Sequence, residues 1–156
     1  MGSRQRTSID KLYFYFYDDN MNIFSIKKQI HFCYGHRLLD YQGACKNLHG
    51  HNAIAEFEVE SPELNSLGMV QDFTEVKKIM GSWIEKNLDH KMILHTNDPY
   101  VLILKNQNEP LYLLKENPTA ENIAQLLFYI AQKKGLKISR VTLWETPASS
   151  ASYSEK

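Results

Sequence analysis

The sequence predicts an α+β fold, an antiparallel sheet packed by two helices. Two stretches, 24–36 and 52–60, alternate apolar and polar residues with period two, the pattern of half-buried strands. Two others, 72–88 and 117–135, carry apolar residues at helical spacing. A short closing alternation over 139–145 adds a last strand.

At 156 residues the chain is long enough for one domain with its own core. Eighteen basic residues balance eighteen acidic ones, so no general surface for nucleic acid or an anionic membrane is expected, although a local basic pocket remains open. Two cysteines, Cys33 and Cys45, are sparse usage that reads as a reduced, intracellular chain. The expected location is therefore the cytoplasm. No stretch approaches a membrane span.

Along the chain, Lys11 to Tyr17 is aromatic but too short to span a bilayer and lacks a small-residue cleavage site. Two readings stand for residues 1–22: an extension upstream of a natural start at Met21, or an added edge strand. The domain proper is expected over 23–156. In the first strand Phe24, Ile26, Ile30, Phe32, Tyr34 and His36 share one parity, with Lys28 the single interruption. In the second, Ala53, Ala55, Phe57 and Val59 face one way and Glu56, Glu58 and Glu60 the other.

Pro62 and Gly68 mark a connection. Asp72 reads as an N-cap, with Glu75 three residues on as a capping box. Val76, Ile79, Met80, Trp83, Ile84 and Leu88 then form one helical stripe. Asp89 and His90 end that helix, where a histidine is commonly a dipole partner. Asp98 before Pro99 reads as turn chemistry. The segment from Val101 to Leu114 reads as a hairpin, two apolar runs around Asn106 to Pro110.

The second helix opens around Pro118. Its stripe is Ile123, Leu126, Leu127, Ile130 and Ala131, and Gly135 stops it. In the last strand Val141, Leu143 and Glu145 share a face, and a carboxylate there either finds a partner or sits at the strand end in water.

His49 and His51, two apart, leave the same face of an extended strand. They keep parity with the apolar set of the second strand if that geometry continues through Gly50. His36 ends the apolar face of the first strand. Two strands thus deliver three imidazoles to one end of a sheet, and three neutral imidazoles with an open fourth position suit a catalytic zinc ion. Cys45 lies close enough in sequence to border that ion. A structural zinc built from His31, Cys33 and His36 is disfavoured, because His31 and Cys33 fall on the opposite strand face.

The strings F-C-Y-G-H over Phe32–His36 and C-K-N-L-H-G-H over Cys45–His51 resemble the 6-pyruvoyltetrahydropterin synthase and 6-carboxytetrahydropterin synthase family. The likeness runs from about residue 23 to 153 and includes G-M-V-Q-D-F over Gly68–Phe73, L-D-H over Leu88–His90 and P-T-A-E-N over Pro118–Asn122.

It implies a tunnelling fold whose subunits join into trimers stacked as a hexamer, with active sites between subunits. It implies zinc on His36, His49 and His51, Cys45 as the base, and Asp89 and His90 as its partners. Glu145 would anchor the pterin, with Thr119 and Glu121 as further pterin contacts. The substrate would be 7,8-dihydroneopterin triphosphate.

Three residues separate Cys45 from His49, as in the bacterial 6-carboxy branch, which points to 6-carboxytetrahydropterin, acetaldehyde and triphosphate on the route to queuosine. The 6-pyruvoyl reaction and a non-catalytic zinc-stabilised module are the rivals. Lys27, Lys28 and Arg37 are candidates for holding triphosphate. Two departures stand out: Tyr34–Gly35 replaces the family's usual Ala-Ala, and Leu94 replaces an asparagine, with His95 behind it.

Overall fold

In the computed structural model, which describes residues 22–155, β1 (Phe24–His36) and β2 (His49–Ser61) pair antiparallel over their whole length. The expectations for residues 1–21 lie outside the described residues. β5 (Ile138–Thr146) pairs with β2, and β6 (Ser149–Tyr153) with β5, both antiparallel.

Two short strands join the other side, the first unforeseen by the sequence and the second formed by the last apolar run of the expected hairpin. β3 (Lys91–His95) runs parallel to β1, touching it only at Tyr34, Gly35 and His36. β4 (Leu111–Leu114) runs parallel to β3. The mixed sheet has the order β4-β3-β1-β2-β5-β6.

Parity along β1 and β2 is as expected. Phe32, Tyr34, Ala53, Ala55, Phe57 and Val59 are buried on one face, while Glu56 and Glu58 on the other pair with Lys27 at 3.4 and 3.8 Å. Helix α1 covers the apolar face and has three parts. It opens at Phe73–Val76, widens into a π turn over Lys77–Gly81 and closes over Ser82–Asn87.

Its fully buried residues Val76, Met80 and Ile84, with Leu88 at the C-cap, recur every four. A spacing of four drifts by about 40° per step on a regular α-helix. The π turn holds an extra residue and brings the stripe back over the sheet. Asp72 caps the helix by accepting from the Thr74 N–H at 2.7 Å. The capping box is not closed, because Glu75 accepts from Gln71 Nε2 instead.

The segment expected as a hairpin is instead helix α2 (Tyr100–Asn106) followed by β4. Asp98 is the reason, since its carboxylate accepts from the Tyr100 N–H at 2.9 Å and starts a turn that Pro99 can enter. Val101 is buried, while Leu102 and Ile103 stay exposed.

Helix α3 (Ala120–Lys133) is capped by Thr119, with Pro118 just outside. At its far end Gly135 has φ +86°. The Leu136 N–H returns to the Ala131 carbonyl there, a Schellman closure that favours glycine. α1 and α3 close the core against β1, β2 and β5.

Candidate active site

Register decides where the histidines meet. His36 lies directly opposite His49, and Tyr34 opposite His51, across the β1–β2 ladder. The three ring centroids are 4.4, 5.1 and 5.2 Å apart. One nitrogen from each ring lies within 4.8 Å of the others, and His36 Nε2 is 3.1 Å from His51 Nε2.

The close packing needs Gly50 between the two β2 histidines. A Cβ there would stand 2.7 Å from the Tyr34 carbonyl oxygen, a backbone atom that cannot step aside.

Backbone carbonyls orient two of the rings. His36 Nδ1 lies 2.7 Å from the Pro118 carbonyl, and His49 Nδ1 lies 2.9 Å from that of Asn47. A proton held at Nδ1 leaves Nε2 with its lone pair, the usual arrangement behind a metal ligand. Burial pushes His36 below the ordinary imidazole range, favouring the neutral form that binds metal. The donor set and its orientation fit a zinc ion.

Glu145 enters from β5, where the pairing with β6 shifts register between Trp144 and Thr146. Its Oε1 lies 3.8 Å from His36 Nε2 and 3.9 Å from His51 Nε2. The carboxylate on an apolar face does find a partner, for the Tyr34 hydroxyl donates to Oε1 at 2.9 Å. Burial and the Glu145 charge push the Tyr34 hydroxyl far above its ordinary range, so it remains a donor. Tyr34, a departure from the family pattern, therefore ties the carboxylate to the histidines.

The block around Pro118 does more than sequence reasoning assigned it. Asn117 accepts from the Leu39 N–H at 2.7 Å and donates to the Leu39 carbonyl at 3.0 Å, pinning the loop after β1. Asn122 donates to the Asn117 carbonyl. Thr119 is engaged as the α3 cap, and Glu121 is exposed in the first turn. Neither is drawn into the histidine cluster. The Asn117 and Pro118 roles depend on contacts about eighty residues away, so no local signal announces them.

Cys45 is half-buried in a 3-10 turn, Ala44–Lys46, whose form is held partly by the Leu38 N–H donating to the Cys45 carbonyl. Asp89 and His90 form a pair of their own, with Nδ1 and Oδ2 3.0 Å apart. The third member of that group within the chain is Cys33, not Cys45. Cys33 lies on the β1 face opposite His36, as parity requires.

Burial pushes the Asp89 carboxyl upward, but the Cys33 N–H and the His90 ring outweigh it, and the group ends below the ordinary carboxylate range. An open groove of about 600 Å³ is lined in part by Cys33, His49, His51 and His90.

The triphosphate candidates divide. Lys27 is paired with Glu56 and Glu58. Arg37 Nε lies 3.0 Å from the fully buried Asp98 carboxylate, with the guanidinium over the Tyr100 ring. Lys28 lines a second groove beside Lys77 and Lys78. His95 accepts from the Asn97 N–H and serves the turn after β3.

Residues 25–156 match the family model described as 6-pyruvoyl tetrahydropterin synthase. A Rickettsia bellii protein named 6-carboxy-5,6,7,8-tetrahydropterin synthase is 34% identical over 127 residues, covering 77% of this chain and 92% of that one.

Among solved structures, an uncharacterised Wolinella succinogenes protein superposes with a TM-score of 0.73 at 27% identity. It covers 87% of this chain and 100% of its own. The 6-pyruvoyl tetrahydropterin synthase of Caenorhabditis elegans gives 0.63 at 25% identity, over 87% of this chain and 98% of its own. The mixed sheet with its few helices is the tunnelling fold of these structures.

Proposed function

The chain belongs to the 6-pyruvoyl tetrahydropterin synthase family, and from that premise we propose that it is a zinc-dependent lyase acting on 7,8-dihydroneopterin triphosphate. With water as the second reactant, the products are 6-carboxy-5,6,7,8-tetrahydropterin, acetaldehyde and triphosphate, on the route to 7-deazaguanine and queuosine. The observation that carries the reading is the convergence of His36, His49 and His51 with Glu145 at one end of the sheet. The choice of branch leans on the three-residue gap between Cys45 and His49 and on relatives named for the 6-carboxy product.

His36, His49 and His51 would hold the zinc ion, which would supply a Lewis acid for a side-chain hydroxyl of the substrate. Glu145 suits the guanidine-like edge of the pterin, because a carboxylate accepts two parallel N–H bonds. Tyr34 holds one Glu145 oxygen at 2.9 Å and so fixes the direction from which that edge approaches. Cys45 removes a proton from the substrate side chain, and Asp89 and His90 carry protons for that exchange. Thr119 and Glu121 are further pterin contacts.

Within one chain the Asp89–His90 pair groups with Cys33 and not with Cys45. The reading therefore needs a second copy to bring that pair to Cys45, in keeping with a cytoplasmic hexamer of two stacked trimers. The working domain is 23–156.

Mass-spectrometric product analysis tests the proposal, using zinc-loaded protein and dihydroneopterin triphosphate. 6-Carboxytetrahydropterin with acetaldehyde is the expected result, and Cys45→Ala should abolish turnover while keeping zinc. A 6-pyruvoyl product would move the chain to the other branch. Bound zinc with neither product nor pterin binding would make it a non-catalytic module.

A further inference from the structure

We propose that Cys33, Asp89 and His90 form a second metal site, separate from the three histidines, that takes zinc or a similar thiophilic divalent ion and silences the enzyme when filled. The ligand atoms of the three side chains all lie within 4.8 Å of one another. Zinc bonds of about 2.0–2.3 Å to N, O and S place ligands roughly 3.5 Å apart in a tetrahedral site, so movements of about an ångström suffice. Sulfur, imidazole and carboxylate together suit zinc rather than magnesium or calcium.

Two hydrogen bonds build the site before any ion arrives. The Cys33 N–H donates to Asp89 Oδ1 at 2.9 Å, and the His90 N–H donates to the Cys33 carbonyl at 2.8 Å. The β1 strand and the end of α1 are thereby locked together at the three ligands. His90 is held at φ +56°, a left-handed backbone that a non-glycine residue adopts at a cost.

Within one chain the His90 side chain is 79% exposed; in the proposed assembly an incoming ion competes for its ring with Cys45 of a second copy, and water can fill the fourth position. Cys33 lies on the β1 face opposite His36, so the second ion competes with none of the three histidine ligands.

Metal binding here stands on the geometry alone. The silencing rests on the proposed proton-carrying role of Asp89 and His90, because a histidine coordinated to an ion no longer passes a proton.

The test adds cobalt(II) to full-length protein already carrying one zinc per chain. A thiolate bound to cobalt gives near-ultraviolet charge-transfer absorption, which imidazole and carboxylate ligands do not. The expected result is absorption that saturates at one cobalt per chain, disappears in Cys33→Ser and persists in Cys45→Ser. Turnover of the wild type should fall about a hundredfold in step with it, the scale of a lost proton-transfer group, and should not fall in Cys33→Ser.

Absorption that survives Cys33→Ser but is lost in Cys45→Ser would mean that cobalt entered the histidine site, and would overturn the proposal, as would no thiolate absorption at all. Saturating absorption with unchanged turnover would overturn the silencing. If the protein turns over no pterin, the absorption still decides the site, so the two readings fail separately.

Discussion

Tyr34 and Asp89 show how single groups set the chemistry of this molecule. The Tyr34 ring is buried against Phe32 with centroids 5.6 Å apart, and its hydroxyl reaches Glu145 on a strand 111 residues away in sequence. Tyr34→Phe keeps the ring and removes only the donor. Loss of one such bond should lower unfolding free energy by about 1–2 kcal/mol, measurable by urea denaturation. An unchanged midpoint would mean that the bond contributes nothing net.

Asp89 contributes to acid behaviour. Its folded-state carboxyl titrates below the ordinary value, with the Cys33 N–H and the His90 ring overcoming the effect of burial. The unfolded chain therefore takes up this proton first as pH drops. The resulting stability is fully present above the unfolded value of about 3.9 and is lost as pH falls through the lower folded value. Denaturation midpoints between pH 6 and pH 3 should drop less steeply in Asp89→Asn than in the wild type.

Helix α2 and the end of β1 depend on each other through one buried ion pair. Asp98 both starts α2, by accepting from the Tyr100 N–H, and holds Arg37, the residue after His36. The Asp98 side chain is wholly buried and that of Arg37 is 16% exposed, so removing Arg37 would strand the Asp98 charge and removing Asp98 would leave Arg37 without its partner. Asp98→Ala should cost about 3–5 kcal/mol and should loosen zinc binding at His36 next door. Thermal unfolding together with a zinc titration checks both. Leucine at position 98 in a variant that also carries Arg37→Met should recover much of the loss, because well-packed apolar replacements of a buried pair are often neutral.

At the scale of the whole molecule, the core and the metal centre are separable. Buried Phe57, Phe128, Met80, Leu127 and Leu143 close α1 and α3 over the sheet, and none of them belongs to the histidine cluster. On the proposed reading, zinc at the histidine cluster would bind only the folded chain and so would add stability by mass action. Chelation should therefore lower the melting temperature and abolish turnover while far-ultraviolet circular dichroism stays native. Unfolding on chelation would assign the metal a structural role. Among the described residues, β1 from Phe24 to Cys33 has a strand partner on one side only, an edge consistent with the proposed assembly between subunits.

Local periodicity was sufficient for much of this. A period of two fixes which side chains share a strand face, so His36, His49 and His51 were legible as one face, and Glu145 as a carboxylate on the apolar side of β5. Helical spacing likewise identified the stripes of α1 and α3 and the Asp72 cap. Spacing within a segment carries no information about its neighbours.

The Tyr34–Glu145 bond, the Pro118 carbonyl behind His36 and the grouping of Asp89 and His90 with Cys33 all join segments far apart in the chain. The segment read as a hairpin became α2 because its apolar run suits either structure when read alone, and the Asp98 turn, held down by Arg37, settles it. By itself the sequence determined the elements and the faces they present, because backbone geometry repeats locally. The tertiary structure decided which faces meet, because contacts between distant segments depend on the packing of the whole chain.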